Sequence, residues 1–405
     1  MKKLYSILCS LSLLFLVSCS QQQINPAWKS DLEYVKSEML NKDIGLITNS
    51  ARSEDFTHAI DQILSNLPKY DNDDQIFVDL SRAIASIGQL HTALQLKNED
   101  VLPFNFYMEQ GDLYVTGAVP AYTDTFFMKL TKIDDTPAPE IIQKLEGVIS
   151  HENIQGLQSK VPTYILYPSI LHGLDIVTDK QHMELTFQHK ASQETKVSVQ
   201  PVSPEQYMAG LQIPHVGNPY YDKFRGSNYG LEYLAADKAL YIAYNVCAED
   251  AAYSLQAFQE DIRTAIRSET VGKVIIDLRA NPGGDSRVLD PLIEELSSIN
   301  RLHKNVYVLI GRNTASSAII NAISLQASLE AVLVGEPTES SPNSAGEILP
   351  LALPDTGFMI SYSTKEFHLS DTTADALLPD IPVAFTMGDY ERGSDPVLGR
   401  ALEEE

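Results

Sequence analysis

The sequence predicts an α/β protein, and three features carry that prediction. Short apolar runs at Val274-Ile275-Ile276 and Val306–Ile310 are each followed by turn residues, the pattern of buried parallel strands. Around them, Leu255–Ile266, Val288–Ile299 and Ala318–Leu325 place apolar residues three and four apart, as helices that cover a sheet do. Of the 405 residues, 44% are hydrophobic and 21% charged, which suits a globular chain long enough for two or three domains.

From the N-terminus, Lys2-Lys3 precedes the apolar run Leu4–Val17 and then Ser18-Cys19. A positive start, a short apolar stretch and a small residue before cysteine resemble a bacterial lipoprotein signal peptide. Residues 1–18 are expected to be removed and Cys19 to carry lipid. The run is shorter than the roughly 20 apolar residues a spanning helix needs. Residues 19–100 read as a polar tether and a helical segment, with helical spacing at Leu32–Leu40, Phe56–Leu67 and Ile76–Ile87. Residues 101–203 mix strand signals (Phe104–Met108, Leu113–Thr116, Met183–Phe187, Lys196–Val202) with a helix at Ala138–Leu145, an α+β unit. Residues 204–238 read as a linker, because Tyr207–Glu232 is rich in Gly, Pro, Tyr and Asn. Residues 239–405 form the α/β core, with a strand at Ala239–Val246. A hairpin joins Leu349–Leu353 to Phe358–Ser363 through Pro354-Asp355-Thr356-Gly357.

Charge and cysteines narrow the function. A formal net charge of −24 argues against nucleic acid or an anionic membrane surface as an electrostatic partner. With Cys9 lost and Cys19 lipidated, Cys247 stands alone, so no internal disulfide is expected; a buried inert thiol is the default for it. Nine histidines show no paired-ligand spacing, so no metal site is inferred, and no cofactor is called for.

The chemistry concentrates in two loops that follow buried strands. In Asn281-Pro282-Gly283-Gly284, proline and paired glycines force a turn that exposes backbone N–H groups. Thr314-Ala315-Ser316-Ser317 opens a helix, where unpaired N–H groups and the helix dipole favour a developing oxyanion. The spacing alone leaves two roles open for Thr314, Ser316 and Ser317: helix N-cap, or nucleophile of an acyl transfer.

Together, DLRANPGG at Asp277–Gly284, GRNTASSA at Gly311–Ala318 and VGEPT at Val334–Thr338 resemble the C-terminal-processing (tail-specific) serine peptidase family, which includes the tricorn core protease and the retinoid-binding repeats. The resemblance covers most of the mature chain and is densest from about Leu240 to Asp380. It implies a crotonase- or ClpP-like βαβ spiral core. It places the nucleophile at Ser316, and the oxyanion donors at the N–H of Ser317 and of Gly283 or Gly284. One branch of the family uses a lysine 25 residues after the serine, where this chain has Ser341; the branch that uses an upstream histidine points to His91, in Ile87-Gly88-Gln89-Leu90-His91-Thr92. A neutral imidazole suits general-base work. An orienting carboxylate is expected six residues before Pro379-Asp380. Thr373 stands there, flanked by Asp371 and Asp375, either of which would serve. Gln89 and Leu90 also depart from the family turn.

Phe127–Thr136 (FMKLTKIDDT) resembles a PDZ segment without its usual glycines, so 101–203 is expected to be a divergent PDZ-like domain. PDZ modules bind extended peptides at a sheet edge. The resemblance thus implies a lipid-anchored serine peptidase in the bacterial cell envelope, facing outside the cytoplasm. It would act on peptides or unfolded protein without metal or cofactor. The alternative is a catalytically weak or inactive lipoprotein that binds peptides or an apolar ligand on the same fold.

Overall fold

The computed structural model describes residues 24–190, 193–214, 223–299 and 305–404. The expected signal peptide and Cys19 lie outside the described residues.

The two strands predicted as buried and parallel, at Val274-Ile275-Ile276 and Val306–Ile310, are so. Ala239–Tyr244, Lys273–Asp277, Val306–Ile310, Val332–Gly335 and Ile381–Pro382 run parallel in one six-stranded sheet, and Tyr229–Leu234 closes one edge antiparallel. Ile276 sits between Ile242 and Val308 in register. Side chains alternate between faces along a strand, so each run of consecutive apolar residues supplies two cores. Leu240, Ile242, Val274, Ile276, Val308 and Ile310 pack under the helices Leu255–Ser268, Asp290–Ser297 and Ser317–Leu329. Tyr241, Ile275, Tyr307 and Leu309 meet Val397, Leu398 and Ala401 of the last helix, Pro396–Glu403, on the other face.

Two parts of this core depart from the reading of the sequence. The stretch read as a linker holds the helix Pro204–Gly210 and the edge strand Tyr229–Leu234. That strand is half-covered and mixes glycine with tyrosine, so it lacks the run of aliphatic residues that marks its neighbours. The C-terminal helices Met387–Arg392 and Pro396–Glu403 were also not anticipated, although Asp395 caps the second and Pro396 occupies its first turn.

Upstream, the helices Ala27–Lys42, Ser50–Asn66 and Asp73–Ala85 precede an antiparallel sheet of Phe104–Glu109, Asp112–Ala118, Lys129–Ile133, Met183–Gln188 and Glu194–Val199. The helices Ala138–Glu146, Ile154–Tyr164 and Pro168–Gly173 belong to this α+β part. One apolar core joins the first helices, this sheet and the hairpin Ala345–Ala352/Met359–Glu366, through Leu351, Ile360 and Tyr362. The hairpin also pairs with the short strand Ala93–Leu94, Ala93 opposite Ser361 and Leu94 opposite Ile360. Its open end, Ala345–Ile348, lines one cavity with Ser316, so this pairing carries the segment after His91 toward the α/β core.

At the end of Lys273–Asp277 the chain is fixed by charge. The Arg279 guanidinium donates to both carboxylate oxygens of Asp277 and, at 2.8 Å each, to both of Asp395. Asp277 and Asp395 keep only 5% and 7% of their side-chain surface, and Arg279 15%. Burial alone would raise the Asp277 carboxyl, but Arg279 outweighs it and holds the group below the usual carboxylate range. Arg279→Met would leave two buried carboxylates unpaired. We expect it to destabilise the fold by about 3–5 kcal/mol, measured as a lower urea midpoint at pH 7.

Candidate active site

The turn after Asp277 is built around Asn281. Its Nδ2 donates to Tyr244 O (2.8 Å), its Oδ1 accepts from Gly283 N (2.9 Å), and its carbonyl accepts from Ala315 N (3.0 Å). Gly283 and Gly284 have φ of 107° and 133°, values open to glycine and strained for any other residue. A Cβ at Gly283 would lie 2.7 Å from Ser316 Cβ and 3.1 Å from Ser317 N, so the glycine turn and the serine loop touch.

Ser316 itself has φ 53° and ψ −124°. A β-carbon in that region is strained by roughly 1–3 kcal/mol and persists only where the surroundings impose it. Serine nucleophiles on strand-to-helix turns are held in this way, because the turn projects the hydroxyl out of the chain. Ser316 occupies the N-cap position of the helix Ser317–Leu329, but its side chain makes no capping bond. Ser317 Oγ donates to Gly284 O at 2.6 Å and so is tied into the scaffold. Thr314 Oγ1 donates to Leu278 O (2.8 Å) and accepts from Gly311 N (3.0 Å). Of the three hydroxyls the sequence left open, only that of Ser316 has no hydrogen-bond partner among the described residues.

The candidate oxyanion donors separate in the same way. Gly283 N–H is committed to Asn281, and Gly283 is buried. Gly284 N–H and Ser317 N–H have no intramolecular acceptor among the described residues, and both residues line the cavity in front of Ser316. That cavity encloses about 820 Å³. His91 forms its far wall, beside Gly346, Ile348 and Phe367 of the hairpin region. His91 and Ser316 therefore face one space, although no hydrogen bond joins them. Apo sites often hold such pairs apart until substrate draws them together.

His91 follows Gly88, whose φ of 70° turns the chain out of the helix Asp73–Ala85. Next to it, Thr92 Oγ1 donates to the buried Asp43 carboxylate (2.6 Å) and accepts from Ser363 N (3.2 Å). Burial first, and then the nearby Lys160 ammonium, push the imidazole down to about 4. It is neutral at pH 7 and able to accept a proton. Asp371 and Asp375 are exposed and do not line the cavity. The Asp375 carbonyl accepts from Asn153 Nδ2 (2.7 Å), and neither carboxylate bonds to His91. Cys247 lies under the glycine turn, donating its thiol toward Asn281 and Asn321, and burial raises it to about 11, an inert state. Among the described residues no three His, Cys, Asp or Glu side chains converge as a metal ion would need.

The residues that sequence reasoning did not single out are Asn281, Glu152 and Lys160. Asn281 had a visible signal, lying two residues before a glycine pair. Glu152 and Lys160 had none, because it is the fold that brings the bend at Glu152 and the helix Ile154–Tyr164 to the His91 turn.

No protein-family model matches the sequence, and no curated protein matches it. Solved structures do. Mature CPAF complexed with lactacystin superposes with a TM-score of 0.66 at 12% identity, over 93% of this chain and 97% of that one. Mature CPAF alone gives 0.64 at 12% identity, over 93% and 95%. The chain shares the fold of CPAF. The likeness spans nearly the whole of both chains, so the α/β core, the helical segment and the α+β part are common to the CPAF fold, in line with the architecture the sequence resemblance implies. A weaker likeness, with a TM-score of 0.42 at 12% identity over 88% and 93%, is to the photosystem II D1 C-terminal processing protease.

The close approach at Gly283 is testable. Gly283→Ala should cost about 1–3 kcal/mol in urea unfolding and slow fluorophosphonate labelling of Ser316 by about 10-fold or more. Gly357→Ala, at φ 75° with open space around it, should cost about 1 kcal/mol and leave labelling unchanged.

Proposed function

We propose that the protein is a serine peptidase, anchored by lipid on Cys19 in a bacterial cell envelope and facing outside the cytoplasm. The observation that carries this reading is Ser316. It is a strained, left-handed serine at a helix start, its hydroxyl and two N–H groups beside it without partners among the described residues, facing a neutral imidazole across a cavity. The sequence resemblance and the shared fold support it.

In this mechanism His91 takes the proton of Ser316 Oγ as the oxygen attacks a peptide carbonyl carbon. The carbonyl oxygen becomes an oxyanion held by the N–H groups of Ser317 and Gly284. The imidazolium then gives its proton to the departing amine, leaving an acyl-serine. Water attacks that ester, again losing a proton to His91, and the acid leaves as Ser316 recovers its hydrogen. Extended peptide or unfolded protein fits the cavity as substrate. Ala345–Ala352 is the edge of its three-stranded sheet and lines the cavity, with Ile348 and Leu349 each 50% exposed. An edge strand with apolar side chains pairs with an extended chain through its backbone.

A second reading, a binding protein on the same fold, is favoured by one observation: among the described residues no carboxylate bonds to His91. One pair of experiments separates the two. Ser316→Ala should abolish cleavage of an unfolded protein and all fluorophosphonate labelling while leaving the unfolding midpoint unchanged. In the wild type, labelling requires neutral His91, so its rate should fall on the acid side with a midpoint near 4 and not near the ordinary 6.5. Equal turnover by the variant, or a wild type that never labels, would remove the peptidase reading.

A further inference from the structure

Below the His91 turn, away from the cavity, lies a buried cluster of three charges that the proposed mechanism does not use. Lys160, on the helix Ile154–Tyr164, donates to Leu90 O (3.3 Å) and Ser150 O (2.7 Å) and stands 3.9 Å from the Glu339 carboxylate. Glu152 accepts from Leu90 N (3.1 Å) and Ser341 N (3.4 Å). Leu90 is thus gripped at its carbonyl by a cation and at its N–H by an anion. Glu339 in turn accepts from Ser159 Oγ (3.0 Å), and its own N–H donates to Thr314 O (3.1 Å). A continuous path runs from the residue before the base, through Lys160 and Glu339, to the residue two before the nucleophile.

We propose that Lys160 is a positioning residue for His91: held by the Leu90 and Ser150 carbonyls and by Glu339, it fixes the Leu90–His91 turn against the serine loop and sets a cation near the imidazole. Only the catalytic consequence rests on the peptidase reading; the placement and the electrostatics do not. The side chains of Lys160 and Glu339 retain 23% and 11% of their surface, so their charges are poorly screened. Burial lowers Lys160, against the pull of Glu339 and Glu152, and burial raises both carboxyls. Other charges approach His91 from different elements. Glu347 comes from the hairpin, and Asp285 and Arg287 from the glycine turn, the last two paired with each other at 2.6 Å. Asp43 is engaged by Thr92. After burial, the charge that bears on the imidazole is that of Lys160. A cation so placed adds to the burial that keeps His91 neutral, and raises the energy of the imidazolium that would form next.

The test is an NMR titration of the His91 ring, assigned with His91→Asn, which reads its protonation without any substrate. The wild type should titrate near 4. Lys160→Met should raise the midpoint by about one pH unit or more, Lys160→Arg should hold it near the wild-type value, and Glu152→Gln should not raise it. Should Lys160→Met fail to fold, Lys160→Met with Glu339→Gln removes cation and partner together and should show the same rise. Labelling by a fluorophosphonate at pH 7 should fall about 10-fold or more in Lys160→Met and return in Lys160→Arg, as a displaced base requires. A His91 midpoint unmoved by loss of the Lys160 charge overturns the proposal. A wild type that does not label, with a midpoint that still follows Lys160, overturns the peptidase reading and sustains this one.

Discussion

The side chain of Asn281 is fully buried, and each of its bonds ends on a different part of the site. One bond holds the carbonyl of Tyr244 at the end of a core strand; another holds the N–H of Gly283; the backbone carbonyl holds Ala315, next to the serine. Buried amides must be satisfied, so these partners cannot drift independently. The left-handed backbone of Ser316 is a strained state, and strain persists only where neighbours leave no alternative. Here the constraint comes from both sides: Asn281 fixes Ala315, and the helix Ser317–Leu329 begins immediately afterwards. The committed N–H of Gly283 has a second effect. It leaves the N–H of Gly284, one residue further and facing the cavity, as the donor opposite Ser317.

The site joins two halves of the chain that share no local sequence signal. Ser316 is set by the parallel sheet, whose strands are buried on both faces and whose end is locked by Arg279 between Asp277 and Asp395. His91 is set by the helical segment and by the pairing of Ala93–Leu94 with the hairpin. The hairpin belongs in sequence to the core and in packing to the upstream apolar cluster. It is the physical link that makes the cavity a single space, and removing either set of contacts would separate His91 from Ser316.

This division explains what could be read from the sequence. The core strands and the serine loop were legible because each is a local pattern, an aliphatic run followed by turn residues, and Ser316 and His91 followed from motif resemblance. The choice among Thr314, Ser316 and Ser317 was not legible from spacing, since all three suit a helix start; it became visible only in where each hydroxyl is bonded. Gly283 and Gly284 were likewise equivalent until Asn281 was seen to take one N–H. The edge strand Tyr229–Leu234 was missed because an edge needs no aliphatic run. Asp371 and Asp375 were candidates by position along the chain, and the loop that carries them turns their carboxylates to solvent.

A base backed by a cation inverts the usual arrangement, in which a carboxylate holds the imidazole and stabilises its protonated form. Buried, and with Lys160 behind it, His91 is a weaker base but is neutral across the whole physiological range. In the proposed mechanism proton transfer from Ser316 is then less favourable, and more of the transition-state charge would be carried by the oxyanion donors. The two free N–H groups at Gly284 and Ser317, aimed into a cavity with apolar walls from Ile319, Ile348 and Phe367, are placed to carry it. Closure of an extended peptide over that cavity would exclude water and strengthen both the oxyanion contacts and the imidazolium's attraction to developing negative charge. On this argument the chemistry is slow in the open site and depends on substrate binding, so the extent of the bound peptide should control turnover more than the chemistry of the residue at the cleaved bond.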